Sequence, residues 1–166
     1  MCIRDRPIDE NAAPTKFGAS DVQDLNWVQL LNAYTCTECG RCTSSCPANI
    51  TGKKLSPRKI MMDTRDRLEE VGKNMDANKG VFVPDNKTLL NDYITPEELW
   101  ACTSCNACVE ECPVNISPLS IIMDMRRYLV MEQSAAPMSL NAMMTNVENN
   151  GAPWQYSQQD LSLIHI

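Results

Sequence analysis

The sequence is poor in aromatic residues and histidine, and it lacks a long apolar segment. Aromatic residues make up 5% of the 166 residues, and histidine occurs once. No run approaches the ~18 consecutive apolar residues that span a bilayer. The net charge of −6 disfavours nucleic acid as a partner, because nucleic-acid-binding surfaces are strongly basic. The sequence has no glycine-rich phosphate loop and no nucleophile–base pair, which disfavours a self-contained enzyme.

Both ends of the sequence differ from the elements beside them. Residues 1–6 and 160–166 resemble translated sequencing adaptors, and frayed natural termini are the alternative. On the adaptor interpretation, Cys2 and the single histidine, His165, are not part of the natural protein. We expect the remainder to be an internal fragment of a longer chain.

Eight of the nine cysteines lie in two motifs of identical spacing, C-x₂-C-x₂-C-x₃-C-P. Three thiolates at intervals of three residues can wrap one corner of an iron–sulfur cubane, each on a different iron. In ferredoxins with two clusters, the fourth cysteine of each motif ligates the other cluster. The spacing therefore predicts two [4Fe–4S] clusters. The predicted ligands are Cys36, Cys39, Cys42 and Cys112 for cluster I, and Cys102, Cys105, Cys108 and Cys46 for cluster II.

Zinc and disulfide bonds are the alternatives for these cysteines. Structural zinc usually takes four ligands from two separated pairs, whereas each motif here supplies four cysteines by itself. Disulfides are typical of secreted chains, and residues 1–20 lack the apolar region of a signal peptide. Clusters in a reducing compartment fit better, and the expected location is cytoplasmic.

The segments that follow the two motifs are copies of each other. Residues 46–50 match residues 112–116, and residues 56–65 match residues 117–126. In each copy a serine followed by proline predicts the start of a helix. The sequence therefore predicts an all-α fold, an alpha-helical ferredoxin with two pseudo-symmetric halves and a C-terminal helical extension. The expected boundaries are a linker over 7–20, the ferredoxin domain over 21–132 and the extension over 133–159.

Several local predictions accompany this fold. Val28, Leu31 and Tyr34 belong to an apolar stripe at helical spacing, with a capping box at Ser20 and Gln23. Gly72 predicts the end of the helix that begins after Ser56, and residues 73–94 are predicted to form a loop with a short strand at 81–83.

A second capping box is expected at Thr95 and Glu98. Gly40 and Asn106, which follow the second cysteine of each motif, tolerate the positive φ of a tight turn. The C-terminal helix is expected to begin at Pro137 and to end near Gly151. Tyr34 and Trp100 are expected to shield the clusters from water.

Five basic residues lie close in sequence to the first motif. Their charge would raise the potential of cluster I or steer an acidic partner, and a solvated face is the alternative. These residues are Arg41, Lys53, Lys54, Arg58 and Lys59.

With both motifs and the Cys-Pro-x-Asn-Ile continuation, residues 17–154 resemble the small iron–sulfur subunit of heterodisulfide reductase and the related membrane-bound iron–sulfur oxidoreductases. Residues 149–154, Asn-Asn-Gly-Ala-Pro-Trp, are similar to an element that follows the clusters in this group. The resemblance implies a 4Fe-4S dicluster domain that relays single electrons toward a membrane quinone or a flavoprotein. Relatives often continue into domains with a Cys-Cys-Gly signature, which this chain lacks.

The resemblance also implies a redox partner. The expected partners are a flavoprotein, a Cys-Cys-Gly domain or a quinone-reactive membrane domain, with the parent anchored at the cytoplasmic face of the inner membrane. The alternative function is a non-redox interaction module that iron–sulfur clusters or zinc merely hold together. No catalytic residue is predicted in this chain.

Removal of the iron should unfold most of this domain. With few large core residues, its two halves depend on bonds between thiolates and iron, so a chelator should abolish the cooperative melting transition. Circular dichroism before and after anaerobic chelation measures this loss. A stripped protein that keeps its full helicity and melts cooperatively would contradict the prediction.

Overall fold

The computed structural model describes residues 16–155, and this part of the chain is helical, with no β-strand. The all-α prediction is therefore confirmed. The adaptor-like ends, Cys2 and His165 lie outside the described residues. None of the helices in residues 16–155 has both the length and the apolar character required to cross a bilayer.

The helices follow the two cysteine motifs in a repeated order. In order along the chain they are α1 (Trp27–Thr35), α2 (Arg41–Ser44), α3 (Pro47–Ile50), α4 (Pro57–Ala77), α5 (Pro96–Ala101), α6 (Ala107–Glu110), α7 (Pro118–Met131) and α8 (Met138–Asn150). A 3-10 turn at Val22–Asp24 precedes α1, and a turn at Leu89–Tyr93, with non-helical backbone at Leu90 and Asn91, precedes α5. The chain divides after Glu132 into two compact units, and α8 belongs to the second.

Contacts between helices recur in the two halves of the first unit. Helix α1 contacts α4, and α5 contacts α7. The short helix of each motif contacts the long helix that follows it, α2 with α4 and α6 with α7. Between the halves, α2 contacts α6 and α4 contacts α7. Two contacts of the first half thus have counterparts in the second, whereas the contact between α2 and α3 has none, because no helix lies between α6 and α7.

The core lies between the long helices α4 and α7. Ile60 and Ile121, at matching positions one turn into each helix, are both fully buried. Leu99 of α5 and Leu129 of α7 are buried in the same cluster. Ser56 caps α4 by accepting a hydrogen bond from the Lys59 amide, as expected of a serine at a helix N-terminus. The core is therefore built from aliphatic side chains at equivalent places in the repeat.

Helix α4 is longer than the sequence predicts. It continues through Gly72 to Ala77, so the predicted stop at Gly72 and the predicted strand at 81–83 are both wrong. The side chain of Asn74 explains the difference. Its amide nitrogen donates to the Val83 carbonyl at 3.0 Å, and its oxygen accepts from the Val83 amide at 3.0 Å. The returning loop is thus bound to the helix as irregular backbone instead of pairing as a strand.

Helix α1 buries a different face from the one that its apolar pattern predicts. Val28, Leu31 and Tyr34 are 43–50% exposed, whereas Gln29 and Ala33 are buried. Gln29 forms a capping box with Asn26 and donates to Asp124 of α7 at 2.6 Å. The box predicted at Ser20 and Gln23 is wrong, and the one at Thr95 and Glu98 is confirmed. A specific polar contact, not the apolar stripe, orients this helix.

The chain segment before α1 lies directly on the backbone of α7. The Ala19 amide donates to the Asp124 carbonyl at 3.1 Å. Gly18 has φ +77°, and a Cβ at this position would lie 2.3 Å from the same carbonyl oxygen. Only glycine combines this backbone conformation with so close an approach.

Arg67 of α4 is the largest charged side chain in the core. Its side chain is fully buried, and its guanidinium donates to Asp21 at 2.8 Å, to Asp85 at 2.5 Å and to the Lys87 carbonyl at 2.7 Å. The Arg67 hydrogen bonds lower the pKa of Asp85 from 3.8 to about 2. This contribution to stability is present above the ordinary carboxyl pKa and is lost as the pH falls toward 2. The Arg67 guanidinium thus binds two loops to α4, one at Asp21 and one at residues 85–87.

The second unit, as far as residue 155, consists of α8 and the turn after it. Helix α8 ends at Gly151, whose φ of +68° is the left-handed conformation of a helix C-cap. The Asn146 side chain donates to the Pro153 carbonyl at 3.1 Å and closes this turn. The predicted helix that ends near Gly151 is confirmed.

Replacing Arg67 with methionine should lower the free energy of unfolding by about 3 kcal/mol, because two carboxylates would lose their counter-charge in a buried place. The measurement is anaerobic denaturant unfolding of the cluster-loaded protein. Lys73→Met is the matched control, because Lys73 lies on the same helix and its side chain is 78% exposed. Equal stabilities of the two variants would contradict this role for Arg67.

Candidate functional site

A pocket between the two halves is lined by cysteines from both motifs. Cys36, Cys39 and Cys42 of the first motif border it together with Cys108 and Cys112 of the second. Its empty volume, including the part open to solvent, is about 360 Å³. The structure therefore brings the four cysteines predicted for cluster I into one place.

Three motif cysteines, Cys46, Cys102 and Cys105, do not border this pocket. Cys46 and Cys108 are buried, Cys102 is half-buried and Cys105 is exposed. Burial, followed by the charges of Cys102, Cys42 and Cys46, raises the pKa of Cys108 to about 11. The charges that act on Cys108 thus come from cysteines of both motifs. Cys112 of the second motif thus borders the pocket together with three cysteines of the first motif, and so does Cys108.

The turns of the two motifs share an unusual backbone. Gly40 has φ +80° and Asn106 has φ +66°, which confirms the predicted left-handed residue after the second cysteine. Two residues earlier, Glu38 and Ser104 also have positive φ, at +56° and +57°. Sequence reasoning missed these two, because neither glutamate nor serine signals this conformation. In each motif, two left-handed residues at equivalent positions bend the backbone around the site.

The surroundings of the cysteines differ in whether they favour the thiolate. The Ser104 amide donates to Cys102 Sγ at 3.4 Å, and the Ile116 amide donates to Cys112 Sγ at 3.4 Å. The Ala107 amide, followed by the Thr103 hydroxyl, lowers the pKa of Cys105. Burial raises the pKa of Cys42. The buried thiols thus require a cation to ionise, and iron supplies one when it binds.

The residues of the site fit two [4Fe–4S] clusters. All eight motif cysteines are free, and no disulfide joins any two cysteines in residues 16–155. In the same residues, no three His, Cys, Asp or Glu side chains converge closely enough to hold a single metal ion. A cubane needs no such convergence, because each thiolate binds a different iron. The eight motif thiols match the eight ligands that two four-iron clusters require.

The basic residues near the first motif divide into two groups. Lys54 pairs with Glu97 at 2.9 Å, and Lys59 pairs with Glu98 at 2.7 Å. In the described part of the chain, the exposed side chains of Arg41, Lys53 and Arg58 form no ion pair, and Arg58 borders the pocket. The charges of Lys54 and Lys59 are therefore neutralised by ion pairs. Any effect of the basic residues on the potential of cluster I must come from Arg41, Lys53 and Arg58.

The two aromatic residues expected to shield the site differ in their exposure. Tyr34, before the first motif, is 50% exposed. Trp100, before the second, packs against the core, and the Arg126 guanidinium lies over its ring at 5.1 Å from the centroid. Shielding by Tyr34 is therefore at most partial.

Two arginines next to the motifs were not singled out from the sequence. Arg65 of α4 pairs with Glu38 at 2.5 Å, and Arg126 of α7 donates to the Cys102 carbonyl at 2.5 Å. The signal that could have found them is the repeat itself, because Arg65 and Arg126 occupy matching positions in the two copies.

Comparison with known proteins identifies the domain that carries these cysteines. Residues 35–116 match the 4Fe-4S dicluster domain. This region contains both motifs and ends at Ile116, after the fourth cysteine of the second motif.

Three curated proteins illustrate what the chain is similar to. It is 34% identical to a probable iron–sulfur-binding oxidoreductase, FadF, of Bacillus subtilis, over 87% of this chain and 24% of that protein. It is 35% identical to an EtfAB:quinone oxidoreductase of Syntrophomonas wolfei, over 83% of this chain and 22% of that protein. It is 33% identical to one subunit of a ferredoxin/F(420)H(2)-dependent CoB-CoM heterodisulfide reductase of Methanosarcina acetivorans, over 64% of this chain and 52% of that subunit. The chain thus spans about a quarter of the length of the first two.

Proposed function

This chain belongs to the 4Fe-4S dicluster family of iron–sulfur proteins, and we propose that it is the electron-relay module of a larger oxidoreductase. The observation that carries the proposal is the cysteine-lined pocket between the halves, which joins three cysteines of one motif to the fourth of the other. A fold built around two redox cofactors, with no catalytic pair beside them in the described residues, is suited to moving electrons.

We propose that the ligands are exchanged between the motifs. Cys36, Cys39, Cys42 and Cys112 would hold cluster I, because these four border one pocket. Cys102, Cys105, Cys108 and Cys46 would hold cluster II. The burial of Cys46 beside the second motif supports this second set.

The clusters supply one-electron chemistry when bound. The chain holds them, excludes water and provides nearby dipoles. Met61, Ile116 and Pro118 are buried and cover the inner wall of the pocket. Amide groups directed at Cys102 and Cys112 stabilise negative charge on the sulfurs, which favours the reduced state. The exposed Cys39 and Cys105 mark the sides where an electron can enter or leave.

We propose redox partners for the whole protein on the basis of its similarity to these relatives. A flavoprotein or a quinone-reactive membrane domain would exchange electrons with this module, as the quinone in the name of the Syntrophomonas relative suggests. A Cys-Cys-Gly domain is a further candidate partner. We place the module in the cytoplasm, because eight free cysteines suit a reducing compartment. The parent would be anchored at the cytoplasmic face of the inner membrane.

Anaerobically purified protein should contain about 8 iron and 8 sulfide per chain, the content of two four-iron clusters. Dithionite should bleach its visible absorbance, and air-free reoxidation should restore it. Metal analysis and absorbance spectroscopy test these outcomes. Iron that cannot be reduced reversibly would instead support the alternative, an interaction module held together by its clusters, and zinc alone would contradict the relay.

Replacing the fourth cysteine of one motif should damage the cluster held by the other motif. In Cys112→Ser the cluster at Cys36, Cys39 and Cys42 should lose iron or change its electron paramagnetic resonance signal, while the other cluster remains. Cys46→Ser should show the reverse. Spectra of the reduced variants, with Cys2→Ser as a control outside both motifs, provide the test. Loss of the cluster of the same motif would refute the exchange.

A further inference from the structure

The two halves place an arginine at the same position beside their motifs, but its charge is balanced in one half only. Arg65 and Arg126 lie at matching positions of α4 and α7. Arg65 pairs with Glu38 of the first motif, and Arg126 donates to the Cys102 carbonyl of the second. The two clusters would therefore experience similar arginines in different settings.

In the first half the charge of the arginine is cancelled. Arg65 Nη2 lies 2.5 Å from Glu38 Oε1, and Glu38 itself borders the cysteine pocket. A second carboxylate, Asp66, lies 3.9 Å from Arg65 Nε. The field of this guanidinium at the pocket is therefore small.

In the second half the charge is left unbalanced. Ser104 stands where the first motif has Glu38, and its hydroxyl accepts from Arg126 Nη1 at 3.3 Å. Arg126 otherwise donates to the carbonyls of Leu99 and Cys102, at 2.6 Å and 2.5 Å from Nη2. No carboxylate in the described region forms an ion pair with it. The guanidinium is a fixed positive charge against the turn of the second motif.

The position of Arg126 makes this charge effective. Its side chain is only partly exposed, and its guanidinium is packed against the Trp100 ring, at 5.1 Å from the centroid. Burial lowers the pKa of Arg126, while the Cys102 thiolate opposes that change. A partly desolvated charge is screened less than an exposed one. Arg41 and Arg58 near the first motif are exposed, so water and salt weaken their effect.

We propose that the charge of Arg126 raises the reduction potential of cluster II, and that the choice of Glu38 or Ser104 sets how strongly each arginine acts. This inference rests on the proposed relay function and adds a cause for a difference between clusters with equivalent cysteine ligands. Reduction adds negative charge to a cluster, and an unbalanced guanidinium stabilises that charge.

The test is an anaerobic redox titration followed by electron paramagnetic resonance, performed on the cluster-loaded full chain. Arg126→Gln should lower the potential of cluster II, so that its ratio of reduced to oxidised form falls about tenfold at a fixed solution potential. Arg126→Lys should retain most of the unsubstituted potential, because it keeps the charge. Arg127→Gln is the matched control, since Arg127 is the next residue, is exposed and faces Asp124 at 2.7 Å.

Exchange of the partner residues separates charge from structure. Ser104→Glu keeps Arg126 and its carbonyl contacts but supplies the carboxylate found in the first half, so it should lower the potential of cluster II. Glu38→Ser should raise the potential of cluster I by freeing Arg65. If Arg126 only held the turn in place, Arg126→Gln would lower the melting temperature but leave the potential of cluster II equal to that of Arg127→Gln, and this result would overturn the inference.

The outcomes distinguish this inference from the relay function on which it rests. Reversible reduction of the unsubstituted protein, together with equal potentials in Arg126→Gln and Arg127→Gln, would overturn only the role of Arg126. Absence of reversible reduction in the unsubstituted protein would overturn both.

Discussion

A motif can complete a cluster in the other half only if the two motifs lie side by side, and the contact between α2 and α6 meets this requirement. Both helices begin directly after a left-handed residue, Gly40 or Asn106. The turn before each helix leaves one cysteine exposed, Cys39 or Cys105, and one half-buried, Cys36 or Cys102. The rest of the first unit, from α1 to α7, can be understood as the scaffold that keeps these two short helices together.

That scaffold depends on few large side chains and on several buried polar contacts. Ile60 and Ile121 pack between the long helices, but Arg67 and Gln29 are also buried and fully engaged. Directional contacts of this kind hold loops at defined places, which aliphatic packing alone does less well. Buried polar groups become costly when a partner is lost, so the fold tolerates little movement around the site.

The pattern of the cysteines predicted the chemistry, and the repeat predicted most of the helices. The starts of α4 and α7, the capping box at Thr95 and Glu98, and the positive φ of Gly40 and Asn106 all follow from local rules. Two of the failures share one cause. The end of α4 and the orientation of α1 are decided by Asn74 and Gln29, through contacts with residues farther along the chain that no local pattern contains.

The difference between the halves illustrates the division between sequence and tertiary structure. Residue types and spacing alone determined the cofactor, because the valence of iron and the geometry of a cubane demand thiolates in this pattern. Only the folded chain decided that Glu38 neutralises Arg65, while Arg126 rests on Trp100 with no carboxylate partner among residues 16–155. Charges act through space, so their effect depends on distances and burial that exist only after the helices have packed.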